Sequence, residues 1–222
     1  MSNFRRVMSS SVGTKLLIGL TGLALFVYLI LHLIGNALIF AGPEVFNTYA
    51  HALISNPLII PVEIGLAAIF VVHIYKTVAN WLANRGARPV AYATKELAGH
   101  TSRKGLASST MIVSGLVTLG FVLIHVKQFK YGTWYEVAGE PGVRDLNRLE
   151  VEVFQSPLWV SLYVICTALV GLHLRHGIAS AFQSLGLDHP LYTRRLTAWA
   201  LVGAIVIGGG LALIPVWVYL AH

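Results

Sequence analysis

Long apolar runs, broken by short clusters of glycine, proline and charge, organise this chain. Five runs, at roughly 14–40, 57–83, 106–130, 157–183 and 196–220, each reach the ~20 residues a helix needs to cross a bilayer. Breakers flank them: "AGPE" after the first, "NP" before the second, "NRGARP" after it, "GEPG" before the fourth and "DHP" after it. Backbone groups in hydrocarbon find partners only within a helix or a closed barrel. The runs lack the period-2 alternation of barrel strands, so the pattern predicts an all-α integral membrane protein. It is one domain over 1–222, with five transmembrane helices.

Composition agrees. Of 222 residues, 56% are hydrophobic and 11% charged, and the mean hydropathy is +0.71, whereas a soluble domain carries about 25% charge. The net charge of +7 does not point to nucleic acid, because the basic residues form short clusters between apolar runs. Arg5, Arg6 and Lys15 precede the first run; Arg85, Arg88, Lys95, Arg103 and Lys104 separate the second from the third; Arg194 and Arg195 precede the fifth. The first-to-second connection has no Lys or Arg. In the third-to-fourth, Lys127, Lys130, Arg144 and Arg148 are offset by Glu136, Glu140, Asp145, Glu150 and Glu152. The positive-inside rule then places the N-terminus in the cytoplasm and the C-terminus outside. "MSNFRRVMSSSVGTK" lacks the short apolar region and cleavage site of a signal peptide, so the first run is a retained span. A single cysteine, Cys166, excludes an intrachain disulfide and an iron–sulfur cluster held by this chain, which takes about four thiolates.

Histidines change the picture most. His32 lies in the first run, His73 in the second, His125 in the third, and His173 and His176 in the fourth. Counted to the cytoplasmic end of each helix, His32 and His125 stand 18 and 19 residues away, and His73 and His173 each stand 10 away. The four form two layers about 13 Å apart, each with imidazoles from two helices. Neutral imidazole is a common metal ligand, and a haem iron takes one ligand above and one below the macrocycle. Helical bundles build cofactor sites from inward-facing side chains on separate helices. The expectation is a haem-binding bundle with two haem b groups: His32 with His125 on the outer side, His73 with His173 on the inner. A lone intramembrane histidine is more often a packing or proton-relay residue; four matched in depth argue for iron. His176, one turn from His173, fits the depth less well and is expected near a propionate or in the ligand's surroundings. "TG" at 21–22 and "SG" at 114–115 each stand eleven residues before an outer histidine, close to three turns and so on the same face. Small residues there leave room for the inner macrocycle.

These stretches also carry a family resemblance. "TGLALFVYLILHLIGN", "FVVHIYKTV", "GFVLIHV" and "GLHLRHGIASAFQSLG", with "FNTYAH" and "DLNRLEVEVFQSP", resemble the cytochrome b membrane-anchor subunit of succinate dehydrogenase/fumarate reductase. The resemblance is to its single-polypeptide, five-helix, dihaem type and covers nearly the whole chain. It implies a flavoprotein subunit and an iron–sulfur subunit bound on the cytoplasmic side of the inner (cytoplasmic) membrane. It also implies two haem b groups with axial ligands at His32, His73, His125 and His173. Electrons would pass between succinate and membrane quinone, usually menaquinone in two-haem members, linking the tricarboxylic acid cycle to the respiratory chain. Dicarboxylate chemistry would lie in the partner subunits. Some fumarate-reducing members carry a glutamate just before the fourth-helix ligand. Here Gly171 and Leu172 stand there, which favours succinate oxidation.

Five further side chains are expected at the cofactor and quinone sites. Glu63 lies ten residues before His73, near the outer layer, where a carboxylate is costly unless paired or functional; it is a candidate for quinone protons. Arg148 suits an outer propionate, since Arg binds carboxylates bidentately, with Glu150 and Glu152 as rival partners. Lys76, Arg175 and Ser184 are candidates for the inner propionates. A dihaem anchor for a hydrogenase or formate dehydrogenase, or a haem-free proton-coupled transporter, are the other readings open to the sequence.

Overall fold

A computed structural model of the chain describes residues 10–87, 110–187, 189 and 191–222. Arg5, Arg6, Arg88, Lys95, Arg103 and Lys104, which set the expected orientation, lie outside the described residues, as does 106–109 of the third expected span. The architecture is all-helical: α1 (Ser11–Ala37), α2 (Pro43–Ile54), α3 (Ile59–Gly86), α4 (Met111–His125), α5 (Leu146–Phe154), α6 (Pro157–Ser184) and α7 (Thr193–Ala221). Among the described residues five helices are long and apolar enough to cross a membrane, and the chain is a multi-pass membrane protein in architecture. A 3₁₀ turn over Leu38–Ala41 extends α1, and a π-helical turn over Val126–Lys130 extends α4. Four of the expected spans agree with these helices to within three residues at either end. The two short helices were expected only as connections.

Side-chain size decides how the long helices pack. α6 and α7 form the tightest pair, because hydrocarbon offers no apolar driving force between helices and small residues let backbones approach. A Cβ on Gly208 would stand 3.0 Å from the Gly171 Cα and 3.1 Å from the Thr167 carbonyl oxygen. Around that crossing Val170, Leu174 and Ile178 interlock with Ala200, Ala204 and Ile207. α1, α3, α4 and α6 form a ring. α1 touches α3 and α6, and α4 touches α6 and, more lightly, α3; α7 packs outside on α6 and α1. Only Gly13, Gly19 and Gly35 of α1 and Ser114 of α4 are buried, and no residue of α3 is.

One end of the bundle is capped by α2 and α5. Gly42 takes φ 103°, a backbone state that favours glycine, and turns the chain into α2 at Pro43. Asn47 then ties the two short helices together: its Nδ2 donates to Asp145 Oδ1 at 2.8 Å, and its Oδ1 accepts from the Asn147 backbone N–H at 3.0 Å. Asp145 also caps α5, accepting from the Arg148 N–H at 2.9 Å, which satisfies one orphan donor of the first turn. Thus "FNTYAH" and "DLNRLEVEVFQSP", distant in sequence, meet at Asn47.

Beneath this cap Phe46, Phe154, Tyr163, Ile214 and Val218 form a second core. Glu150 is buried there, and desolvation pushes its carboxyl up to about 8. In the unfolded chain it ionises near 4.5, so between about pH 4.5 and 8 the unfolded state binds fewer protons. Stability therefore falls as pH rises through that window. Glu150→Gln removes the dependence: its thermal midpoint should match wild type near pH 5 and exceed it by several degrees at pH 8. An equal gap at both pH values would contradict this reading.

Candidate functional site

α1 and α4 lie diagonally across the ring and carry His32 and His125. Their imidazole centroids are 5.7 Å apart, with the ring planes at 87°. Both rings are half-buried. His125 sits where α4 passes into its π turn, a distortion often found at functional positions, and Phe121, Phe129 and Tyr163 surround it with centroids at 5.4–6.0 Å. On the other side Tyr28 stacks on His32 at 5.5 Å, and Asn36 Nδ2, anchored to the His32 carbonyl at 2.8 Å, reaches the ring nitrogens at 3.4 Å.

The other diagonal, α3 and α6, carries His73 and His173, which lie within electrostatic reach of each other. Each ring rests against a neighbouring helix at a hydroxyl–glycine pair. His73 Nδ1 is 3.1 Å from Thr21 Oγ1, and a Cβ on Gly22 would stand 3.1 Å from His73 Cε1. His173 Nδ1 is 3.1 Å from Ser114 Oγ, and a Cβ on Gly115 would stand 3.4 Å from His173 Cε1. The "TG" and "SG" pairs, expected to leave space for a macrocycle, are the seats of the two inner imidazoles. Since Thr21 and His32 share a helix face eleven residues apart, the tiers are separated by about 16 Å along α1, more than the 13 Å read from helix ends.

Two half-buried imidazoles from opposed helices can grip one metal between them. Two metal–nitrogen bonds of about 2 Å plus the two ring half-widths put such centroids about 6 Å apart, near the 5.7 Å of His32 and His125. Among the described residues no group of three or more His, Cys, Asp or Glu converges on a point. A bare ion, which takes four or more ligands, is therefore less suited to these tiers than a macrocycle that supplies four nitrogens itself. Among the described residues two buried side-chain polar atoms find no partner, Thr77 Oγ1 and Arg144 Nε. Thr77 is one turn beyond His73 on α3. Arg144 lies beyond His125 toward the cap, donating to the Lys130 and Thr133 carbonyls at 3.4 and 3.3 Å. Each tier thus has one orphaned polar group at its outward edge, suited to the carboxylate arm of a haem. The facing imidazoles of His32 and His125 and these two orphans fit the group.

The remaining expected residues divide. Arg148 is exposed; its guanidinium lies over Tyr135 at 4.2 Å, and the Tyr135 hydroxyl donates to Glu152 at 2.5 Å. Arg148, expected at an outer propionate, is thus engaged in a surface cluster with Tyr135. Arg144, four residues earlier on the turn into α5, is the buried cation, and desolvation holds its guanidinium below its usual value. Its sequence signal is slight: "GVRDLN" places it between a turn glycine and a helix cap. Glu63 forms an ion pair with Lys130, both about half exposed, at the capped end of the ring. His176 lies one turn from His173 and is half-buried. Arg175 is exposed, and the Ser184 hydroxyl donates to the Ser180 carbonyl at 2.9 Å. Tyr163, not singled out from sequence, lies 3.5 Å from His125 Nδ1 while donating to Gln128 Oε1 at 2.8 Å. Comparison of the chain with protein-family models, curated proteins and solved structures returns no match.

Proposed function

We propose that the chain is the membrane-anchor dihaem cytochrome b subunit of a succinate:quinone oxidoreductase, carrying electrons between an iron–sulfur subunit and menaquinone. The observation that carries this reading is the pairing of four histidines as two diagonals of one helical ring, at two levels. His32 and His125 hold the outer haem b, and His73 and His173 the inner. Each haem, when bound, supplies a one-electron couple between ferric and ferrous iron. Thr77 and Arg144 offer polar contacts to its carboxylates. The aromatic surround of His125 excludes water from that tier, which bears on its potential. The succinate dehydrogenase assignment within dihaem cytochromes rests on the sequence resemblance. It places the N-terminus and the flavoprotein and iron–sulfur partners on the cytoplasmic side of the cytoplasmic membrane.

Affinity purification of the chain from its native membrane tests the assignment. A flavoprotein and an iron–sulfur protein should co-purify in equal amounts, and the complex should reduce a menaquinone analogue with succinate. Recovery of a hydrogenase or formate dehydrogenase partner would keep the haems and overturn the assignment.

In the same reading Glu63, at the capped end and paired with Lys130, takes part in quinone protonation. Glu63→Gln is expected to lower quinone turnover about tenfold or more, within the range for loss of one proton-transfer group, with haem content unchanged. Turnover equal to wild type would remove Glu63 from the quinone site.

A further inference from the structure

The hydroxyls of Thr21 and Ser114 each have one hydrogen, and a carbonyl of the preceding turn stands in reach of it. Thr21 Oγ1 donates to the Leu17 carbonyl at 2.6 Å, and Ser114 Oγ donates to the Met111 carbonyl at 3.1 Å. A hydroxyl whose hydrogen is committed can only accept from a second partner. With those hydrogens placed on the helix carbonyls, the contacts at 3.1 Å to His73 Nδ1 and His173 Nδ1 are read as Nδ1–H donations from the imidazoles. With the proton held on Nδ1, Nε2 is the nitrogen left with a free lone pair on both rings.

We propose that Thr21 and Ser114 are positioning residues that lock the Nε2-presenting tautomer of the inner imidazoles and hold the potential of the inner haem down. This rests on the dihaem reading. An imidazole that donates its far N–H becomes a stronger electron donor to a metal, and such outer partners orient the ring and tune the site. Greater donation stabilises ferric over ferrous iron and lowers the reduction potential.

The same device occurs twice. α1 carries Thr21–Gly22 and, eleven residues on, His32; α4 carries Ser114–Gly115 and, eleven residues on, His125. Each of these helices supplies one outer ligand and the seat for one inner ligand on its neighbour. The separation of the tiers is then fixed within two rigid helices, and the missing Cβ atoms at Gly22 and Gly115 let the rings reach the hydroxyls.

The outer tier lacks this lock. Tyr28 and Tyr163 hydroxyls stand 3.5 Å from His32 Nδ1 and His125 Nδ1, beyond the ordinary range of about 2.7–3.2 Å. Asn36 Nδ2 lies 3.4 Å from both nitrogens of His32 and selects neither. Loss of a hydroxyl should therefore be felt in the inner tier and little in the outer.

Optical redox titration and ferric low-spin electron paramagnetic resonance of the purified holoprotein test this. Thr21→Val and Ser114→Ala should each shift one of two b-type components upward, about tenfold in the oxidised-to-reduced ratio at fixed poise, about 59 mV for one electron. The resonance of that component should move with it. Thr21→Ser should restore the wild-type value, and Tyr163→Phe should leave both components nearly in place. Should Thr21→Val lose the inner component outright, Ser114→Ala, which removes only an oxygen, carries the titration. Two components titrating as in wild type in both variants, or a shift confined to the outer one, would overturn the proposal while the dihaem reading stood. A wild-type protein with no b-type spectrum would overturn both.

Discussion

His173→Ala is expected to reduce haem content from two per chain to one, whereas His176→Ala should keep two. The two residues are one turn apart, so composition and local helix propensity change almost equally. They differ in partners. His173 Nδ1 is tied to Ser114 on α4, its ring lies against Gly115, and it stands within electrostatic reach of His73. His176 has no comparable seat among the described contacts. With His173 removed, the inner tier would offer only His73 to hold its haem, too little to retain it through purification. The expected sign is loss of one b-type component, with the His32–His125 component intact because that tier draws on different helices. Haem extraction and quantification per chain checks the result. Two haems in His173→Ala with one in His176→Ala would reassign the inner ligand by one turn.

The run Gly208-Gly209-Gly210 gives the largest expected effects on stability, because its three positions meet three different walls. A Cβ at Gly208 would stand 3.0 Å from the Gly171 Cα and 3.1 Å from the Thr167 carbonyl, both backbone atoms. Neither can turn aside, so Gly208→Leu must drive α7 from α6 and open the Val170–Ala204–Ile207 core. Overpacking of this kind costs about 1–3 kcal/mol and at times more. At Gly210 the wall is the Leu33 side chain, 2.9 Å away, which a rotamer change can relieve. At Gly209 nothing lies within 4 Å. The thermal midpoints should fall in the order Gly209→Leu, Gly210→Leu, Gly208→Leu, with Gly209→Leu at or above wild type since glycine is a poor helix former. An equal loss at all three positions would mean that the close α6–α7 crossing is not what holds α7 in place.

Much of this architecture was legible because bilayer thickness and backbone satisfaction leave few choices. A run such as 157–183 is read as a spanning helix almost regardless of neighbours, and the helix found is Pro157–Ser184. The helical turns over Pro43–Ile54 and Leu146–Phe154 were not read, because each is too short for a span. Both are stabilised by a contact ninety-eight residues apart in sequence, Asn47 to Asp145, which no local pattern announces. The pairing of histidines was legible as chemistry, but their depths were not well measured by helix ends. His32 is 21 residues past Ser11 and His125 is 14 past Met111, yet their rings meet. Helices protrude to different lengths, so a contact between rings fixes the tier where a count to the end does not. Thr21 and Ser114 were picked out for their small neighbours. Their bonds to Nδ1 could not be read, since these depend on how α1 faces α3 and α4 faces α6. Arg144 was not singled out, because the sequence does not say which side of the turn into α5 goes inside.

The central claim is that the two histidine diagonals each hold one haem b. The most direct measurement is a dithionite-reduced minus oxidised spectrum of the purified, folded chain with haem quantified per polypeptide. Two b-type haems per chain are expected, titrating as two components. A folded protein with no b-type α-band, or with a single haem that survives His32→Ala and His73→Ala alike, would contradict the account.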